Sequence, residues 1–177
     1  MRRLLLAMVL AVGLLLVTPQ QVIAKTVLVD MYSIDTDGTG DAIGVITARD
    51  SDQGLELFPD LIGLPAGEHG IHLHSNPSCD AGISGDGTSV AGLRAGGHWD
   101  PDESGQHLGP FGTGHRGDLS RLVVSQDGTT PTSVVAPRLS TEDLNQKTLI
   151  VHAGGDTYSD TPPLGGGGVR IACGIIN

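Results

Sequence analysis

The chain has 177 residues, with 10 lysines and arginines against 20 aspartates and glutamates and only 3% aromatic residues. A formal charge of −10 argues against nucleic acid and anionic membranes as partners, because neither attracts a polyanion. The length fits one domain with its own hydrophobic core.

The first 24 residues read as a segment outside that core. Met1-Arg2-Arg3 is a short basic start, residues 4–17 are an apolar run, and Val22-Ile23-Ala24 offers the short residues that a signal peptidase reads. The run is too short for a membrane-spanning helix, which needs about 20 residues. Residues 1–24 are therefore expected to be a signal peptide and residues 25–177 an exported domain. Cleavage after Ala24 exposes Lys25 rather than a cysteine, so no lipid anchor is expected. Loss of Arg2 and Arg3 leaves 8 basic residues against 20 acidic, a formal charge of −12. In an oxidising compartment Cys79 and Cys173, the two cysteines of the chain, read as one disulfide. Closing so long a loop restricts the unfolded chain by about 4 to 5 kcal/mol in the entropic model.

Beyond the leader the chain reads as short strands. Residues 26–32 are rich in β-branched types, and the Asp37-Gly38-Thr39-Gly40 turn cluster separates them from residues 43–48, which predicts a hairpin. Residues 54–58 and 70–74 follow as strands, then 119–124, an Asp127-Gly128 turn, 132–136, 148–152 and 169–176. Eight short strands with glycine-rich turns imply an all-β sandwich or barrel. Thr141-Glu142-Asp143-Leu144 reads as a helical turn capped by Thr141. Residues 75–117 and 153–168 exceed the connections of an economical β fold, and loops beyond about 12 to 15 residues are usually functional or disordered.

Six of the seven histidines, with one aspartate, have spacings that suit metal ligation: His72, His74, His98, His107, His115, Asp118 and His152. Two four-coordinate sites need eight ligand positions, so seven side chains suffice only if one serves both metals. An imidazole has two ring nitrogens and can do so. His72 and His74 lie two apart in a strand, so they share a face at a Cα spacing of roughly 7 Å, with Ile71 and Leu73 directed to the core. The same spacing also suits a solvated strand face. His98, His107, His115 and Asp118, spaced 9, 8 and 3 apart among glycines and prolines, suit a tetrahedral zinc site on a loop. His152 at a strand end completes four imidazoles with His72, His74 and His98, a set that suits copper. Asp156 is a candidate acceptor that would orient ligand imidazoles from outside, or else a solvated loop carboxylate.

Several of these segments resemble the copper,zinc superoxide dismutases, in particular their exported bacterial branch. They are Gly67-Glu68-His69-Gly70-Ile71-His72-Leu73-His74, the blocks around Gly97-His98, His107-Leu108-Gly109-Pro110 and Gly114-His115, and the terminal glycine run with Arg170 and Cys173. The resemblance implies an eight-stranded antiparallel Greek-key barrel with two long functional loops. It implies dismutation of superoxide to O₂ and H₂O₂ in the periplasm by a redox-cycling copper bridged through His98 to a structural zinc. Copper would be held by His72, His74, His98 and His152, and zinc by His98, His107, His115 and Asp118. His98 would also deliver a proton, and Arg170 would guide and hold the anion. Cys79 and Cys173 would form the family disulfide, and Asp156 would link the two sites. His69 falls on a non-ligand position and would support its strand by hydrogen bonding. Ile71, Leu73 and Trp99 depart from the usual residues in packing alone. Both monomers and homodimers occur in this branch.

Three other readings compete. A copper carrier would favour soft ligands, whereas the predicted mature chain offers Met31 alone besides its paired cysteines. A β sandwich with a merely structural zinc leaves His72, His74, His152 and Arg170 without a purpose. A zinc hydrolase lacks a spare glutamate base near the histidines.

Overall fold

The computed structural model describes residues 25–177, and the signal peptide expected over residues 1–24 lies outside them. Alternating burial sets the first strands. In β1 (Thr26–Asp35) Val29 and Met31 are fully buried while Leu28 and Asp30 face out. β2 (Gly38–Ser51) pairs with it antiparallel from Thr26↔Arg49 to Asp35↔Gly38, and Asp35 Oδ1 accepts from Asp37 N at 2.7 Å to close the predicted hairpin turn. Then come β3 (Gly54–Leu61), β4 (Gly67–His69), β5 (Ile71–His74), a small β6–β7 pair (Gly82–Ile83, Ser89–Val90), β8 (Leu122–Val124), β9 (Val134–Ala136), β10 (Lys147–His152) and β11 (Arg170–Ile176).

Seven strands form one antiparallel sheet in the order β5-β10-β11-β1-β2-β3-β9, while β4 pairs with β8. β4 and β5 are one run interrupted at Gly70. Ser120 N donates to Val135 O at 3.0 Å and Val135 N to Ser120 Oγ at 2.7 Å, which draws the β8 side towards β9 and curls the sheet towards closure. With β4 and β5 taken together and the β6–β7 pair set aside, eight strands make the wall. Sequence-distant strands are neighbours at β5/β10, β11/β1 and β3/β9, as in a Greek-key barrel. The interior holds Met31, Ile46, Leu55, Leu57, Ile71, Leu73, Leu122 and Leu149, each with at most 2% exposure. Each such side chain contributes on the order of 1.5 to 3 kcal/mol by leaving water.

Several details differ from the sequence reading. The hairpin strands run to Asp35 and from Gly38, so Gly38, Thr39 and Gly40 of the expected turn lie in β2, the β6–β7 pair lies in the expected irregular stretch, and β9 starts at Val134. β3 continues through Pro59 to Leu61, because β9 covers only Leu55 to Leu57 and no partner on that side needs an N–H from Pro59. β8 begins at Leu122 rather than at residue 119, because the chain before it turns to the histidine cluster. The helical turn is capped from Ser140, whose N–H donates to Asp143 Oδ2 at 2.8 Å, whereas Thr141 is inside the turn and pinned to Asp50. The expected disulfide joins Cys79 to Cys173, with the Cα atoms 5.8 Å apart, and fastens the first long loop to β11.

Candidate metal centre

Strand alternation puts Ile71 and Leu73 in the core and His72 and His74 on the opposite face, as expected, yet both histidines are fully buried. The first long loop covers them. It returns twice to the free edge of β5: Trp99 N donates to Leu73 O at 2.8 Å, Leu73 N to Gly117 O at 2.9 Å, and Gly117 N to Trp99 O at 2.8 Å. These bonds set His98 opposite His74 and Asp118 opposite His72. Gly117 is required there, because a Cβ would lie 2.7 Å from Trp99 N. On the other edge, β10 pairs with β5 and ends in His152, which stands opposite Arg170.

All seven predicted ligands converge. The facing ring or carboxylate atoms of His72, His74, His98 and His152 lie within 4.8 Å of one another, as do those of His98, His107, His115 and Asp118. His98 belongs to both groups. Among the described residues three buried ring nitrogens of the first group lack any hydrogen-bond partner, His72 Nδ1, His74 Nε2 and His152 Nε2, and His107 Nδ1 makes no aligned hydrogen bond although Asp118 Oδ1 lies 3.0 Å away. Each such orphan costs about 1 to 3 kcal/mol, so a cluster of them calls for a ligand that accepts lone pairs.

The opposite ring nitrogens fix the tautomers. His72 Nε2 donates to Asp156 Oδ2 at 2.7 Å, His74 Nδ1 to Gly96 O at 2.9 Å, and His152 Nδ1 to Gly168 O at 3.1 Å. Each ring therefore directs a bare nitrogen inward. Burial, reinforced by His98, lowers His72 to about 3, and burial lowers His152 to about 4. His74 and His98 are also lowered, mainly by burial. These rings are neutral at pH 7, the form that binds copper.

The second group is centred on a carboxylate. Asp118 Oδ1 lies 2.9, 3.0 and 3.3 Å from the Nδ1 atoms of His98, His107 and His115. Four ligands about 2.0 Å from a tetrahedral zinc would be about 3.3 Å apart, so the residues fit that ion. His107 also donates from Nε2 to Asp156 Oδ1 at 2.7 Å. Burial opposes charge on His107, but the Asp118 and Asp156 carboxylates outweigh it and push the ring up to about 9. Burial likewise opposes charge on the two carboxylates, but the adjoining histidines hold both well below the usual range.

Asp156 thus spans the groups, with His72 on one oxygen and His107 on the other. His72, His107 and Asp156 also cluster closely enough to suggest a third cation site. Their facing atoms are already paired at 2.7 Å, so they form a link rather than a vacant cage. His69 is no part of either ligand group, and its ring lies 2.8 Å from the carbonyls of both His152 and Pro65.

A cavity of about 250 Å³ opens beside the first group, lined by His98, His152, Pro163, Leu164, Arg170 and nearby glycines. Arg170 donates to the carbonyls of Gly92 and Gly96, which aims its guanidinium. The Gly96 carbonyl that receives Arg170 Nη2 is the one that receives His74 Nδ1. Sequence reasoning missed Arg138, which donates to the carbonyls of Gly109, Pro110, Gly114 and His115 and so holds the turn between His107 and His115. An arginine bound to backbone oxygens has no spacing signature that could have revealed it.

Residues 42–176 match the family model described as copper/zinc superoxide dismutase (SODC). A superoxide dismutase [Cu-Zn] of Escherichia coli (strain K12) is 50% identical over 150 residues, covering 84% of this chain and 86% of that protein. The solved Cu/Zn superoxide dismutase from Brucella abortus superposes with a TM-score of 0.84 at 45% identity, over 86% of this chain and 100% of that one. The solution structure of the monomeric copper, zinc superoxide dismutase from Salmonella enterica gives 0.77 at 46% identity, over 86% and 100%. The matched residues include every candidate ligand and most of the barrel wall, and the chain accordingly belongs to the copper/zinc superoxide dismutase family of enzymes.

Proposed function

We propose that the chain dismutes superoxide to O₂ and H₂O₂, with copper on His72, His74, His98 and His152 and zinc on His98, His107, His115 and Asp118. The observation that carries the reading is the set of bare, buried nitrogens on His72, His74 and His152 beside a cavity that Arg170 lines. Bound copper supplies a one-electron couple that oxidises one superoxide and reduces the next, while zinc holds its ligands without a redox role.

The chain's own residues do the rest. Arg170 presents the positive charge that an acidic protein otherwise denies an approaching anion; superoxide dismutase is itself a standard example of such steering. Its two carbonyl acceptors keep the guanidinium beside His98 and His152. His98 Nδ1 faces Asp118 in the zinc-side group, where both would serve zinc. That leaves Nε2, which would take a proton and pass it to the reduced oxygen species when copper does not hold it. Asp156 keeps His72 and His107 in register.

Every candidate ligand comes from this chain, which supports a centre complete in a monomer, as in the Salmonella relative described as monomeric. Among the described residues no helix is long and apolar enough to cross a membrane. The bacterial relatives and the expected leader support export to the periplasm. Metal analysis and a dismutation assay on the mature protein test the reading. One copper and one zinc per chain with turnover is the expected result; full loading without turnover would favour a copper carrier.

A further inference from the structure

The two ligand groups are joined through Asp156, and a cluster outside them fixes Asp156. Arg121 leads into β8, on the far side of Asp156 from His72 and His107. Its Nε donates to the Asp156 backbone carbonyl at 2.7 Å, and its Nη1 to Glu68 Oε2 at 2.9 Å. Its guanidinium lies over the Tyr158 ring, 4.7 Å from the centroid, and its backbone N–H donates to Tyr158 Oη at 3.0 Å. Tyr158 N in turn donates to Asp156 Oδ1 at 2.7 Å, the same oxygen that receives His107 Nε2.

Tyr158 occupies the left-handed region at φ 56°, a conformation that is strained for a non-glycine residue. That conformation lets its N–H reach Asp156 while its ring reaches Arg121. The ring also rests on the zinc-side loop, where a Cβ at Gly109 would lie 2.6 Å from Tyr158 Cβ. The Arg121–Glu68 pair is partly exposed, at 34% and 56% of the side chains, so solvent screens it and its own contribution to stability is small. The remaining contacts of Arg121 go to the backbone carbonyl of Asp156 and to Tyr158, whose own N–H reaches the Asp156 carboxylate.

The geometry points to Arg121 and Tyr158 as a latch that positions Asp156, and through it orients His107 for zinc and His72 for copper. The inference rests on the reading of Asp156 as the link between the two groups. Neither residue touches a metal or substrate. They are positioning residues.

The test uses the mature protein, zinc alone as the probe for affinity, and Cu(II) resonance spectra of the two-metal form. Arg121→Ala is compared with Arg121→Lys, with Tyr158→Phe, and with Asp156→Asn as the reference for a lost link. Removing a partner just outside the ligands typically costs 10- to 100-fold in metal affinity, so Asp156→Asn should weaken zinc by about that factor and Arg121→Ala, one bond further out, by about 3- to 10-fold. Arg121→Ala should also alter the Cu(II) spectrum and shrink the rise in melting temperature that zinc confers. Arg121→Lys should fall between it and the wild type. A merely structural role would lower the melting temperatures of the apo and zinc-bound forms equally, and that result overturns the latch. Unchanged zinc affinity in Arg121→Ala with a weakened Asp156→Asn also overturns the latch but leaves the Asp156 reading intact. Unchanged affinity in both removes the link itself.

Discussion

The two halves of the metal centre are built by different means. The copper-side group takes His72, His74 and His152 from paired strands, and its rings are neutral and oriented by three single hydrogen bonds from behind. The zinc-side group takes its ligands from a loop without regular structure, and charge gathers it: three imidazoles around Asp118, with Asp156 beyond. The strand-borne half is placed by the pairing of β5 with β10 and of β10 with β11. The loop-borne half is held by the loop's backbone bonds to β5, by Arg138 and by electrostatics among its own residues. His98 belongs to both.

The largest test of this contrast is His98→Ala. It should disturb both metals and lower turnover by about 10² to 10⁴-fold, the range for a lost proton donor. Loss confined to one metal would remove the bridge. Arg170→Glu comes next, expected to slow turnover by about 10- to 10³-fold at low salt while copper and zinc remain bound. An unchanged rate at low ionic strength would refute steering.

The pH dependence of metal uptake separates the halves most directly. His107 is raised to about 9, so at pH 7 it carries a proton that zinc must displace. Zinc affinity should therefore fall about tenfold for each pH unit below 9. Burial lowers His72 to about 3 and His152 to about 4 and also lowers His74 and His98, so between pH 5 and 8 copper affinity should change much less steeply with pH than zinc affinity. Competition titrations at several pH values, with proton release read by calorimetry in different buffers, check both slopes. Stability of the apoprotein follows the same signs. The His107 contribution is fully present below the unfolded value of 6.5 and is lost as pH rises through about 9. The contributions of His72 and His152 are present above 6.5 and are lost as pH falls towards 4 and 3.

The smallest expected effect is that of Arg138→Ala. It frees four carbonyls of the zinc-side loop. Zinc should bind several-fold more weakly, by about 1 kcal/mol for hydrogen bonds of this kind, with copper unaffected. Equal weakening of both metals would show that the halves are less separate than their construction suggests.

The difference in construction also explains what could be read in advance. His72 and His74 were legible because strand alternation has a period, and Ile71 and Leu73 fill the complementary positions. The loop ligands were legible because histidines seldom recur at such spacings among glycines without a metal. What escaped notice lies where side chains meet backbone carbonyls. Arg138, Arg121 and the two carbonyls beside the His69 ring are in that class. Any carbonyl in the chain offers the same oxygen, so only the folded path selects among them. The same holds for Thr141, whose hydroxyl found Asp50 across 91 residues instead of capping its own turn.

The shared Gly96 carbonyl has a consequence for how mutants are interpreted. One oxygen receives both the Nη2 of Arg170 and the Nδ1 of His74, so the anion's seat and a copper-facing ring compete for the same electron density. When Arg170 is removed, His74 becomes the sole donor to that oxygen, its bond shortens, and the ring becomes a slightly stronger electron donor on its inward side. A change made to study how the anion arrives should therefore also leave a small mark on the colour of the copper.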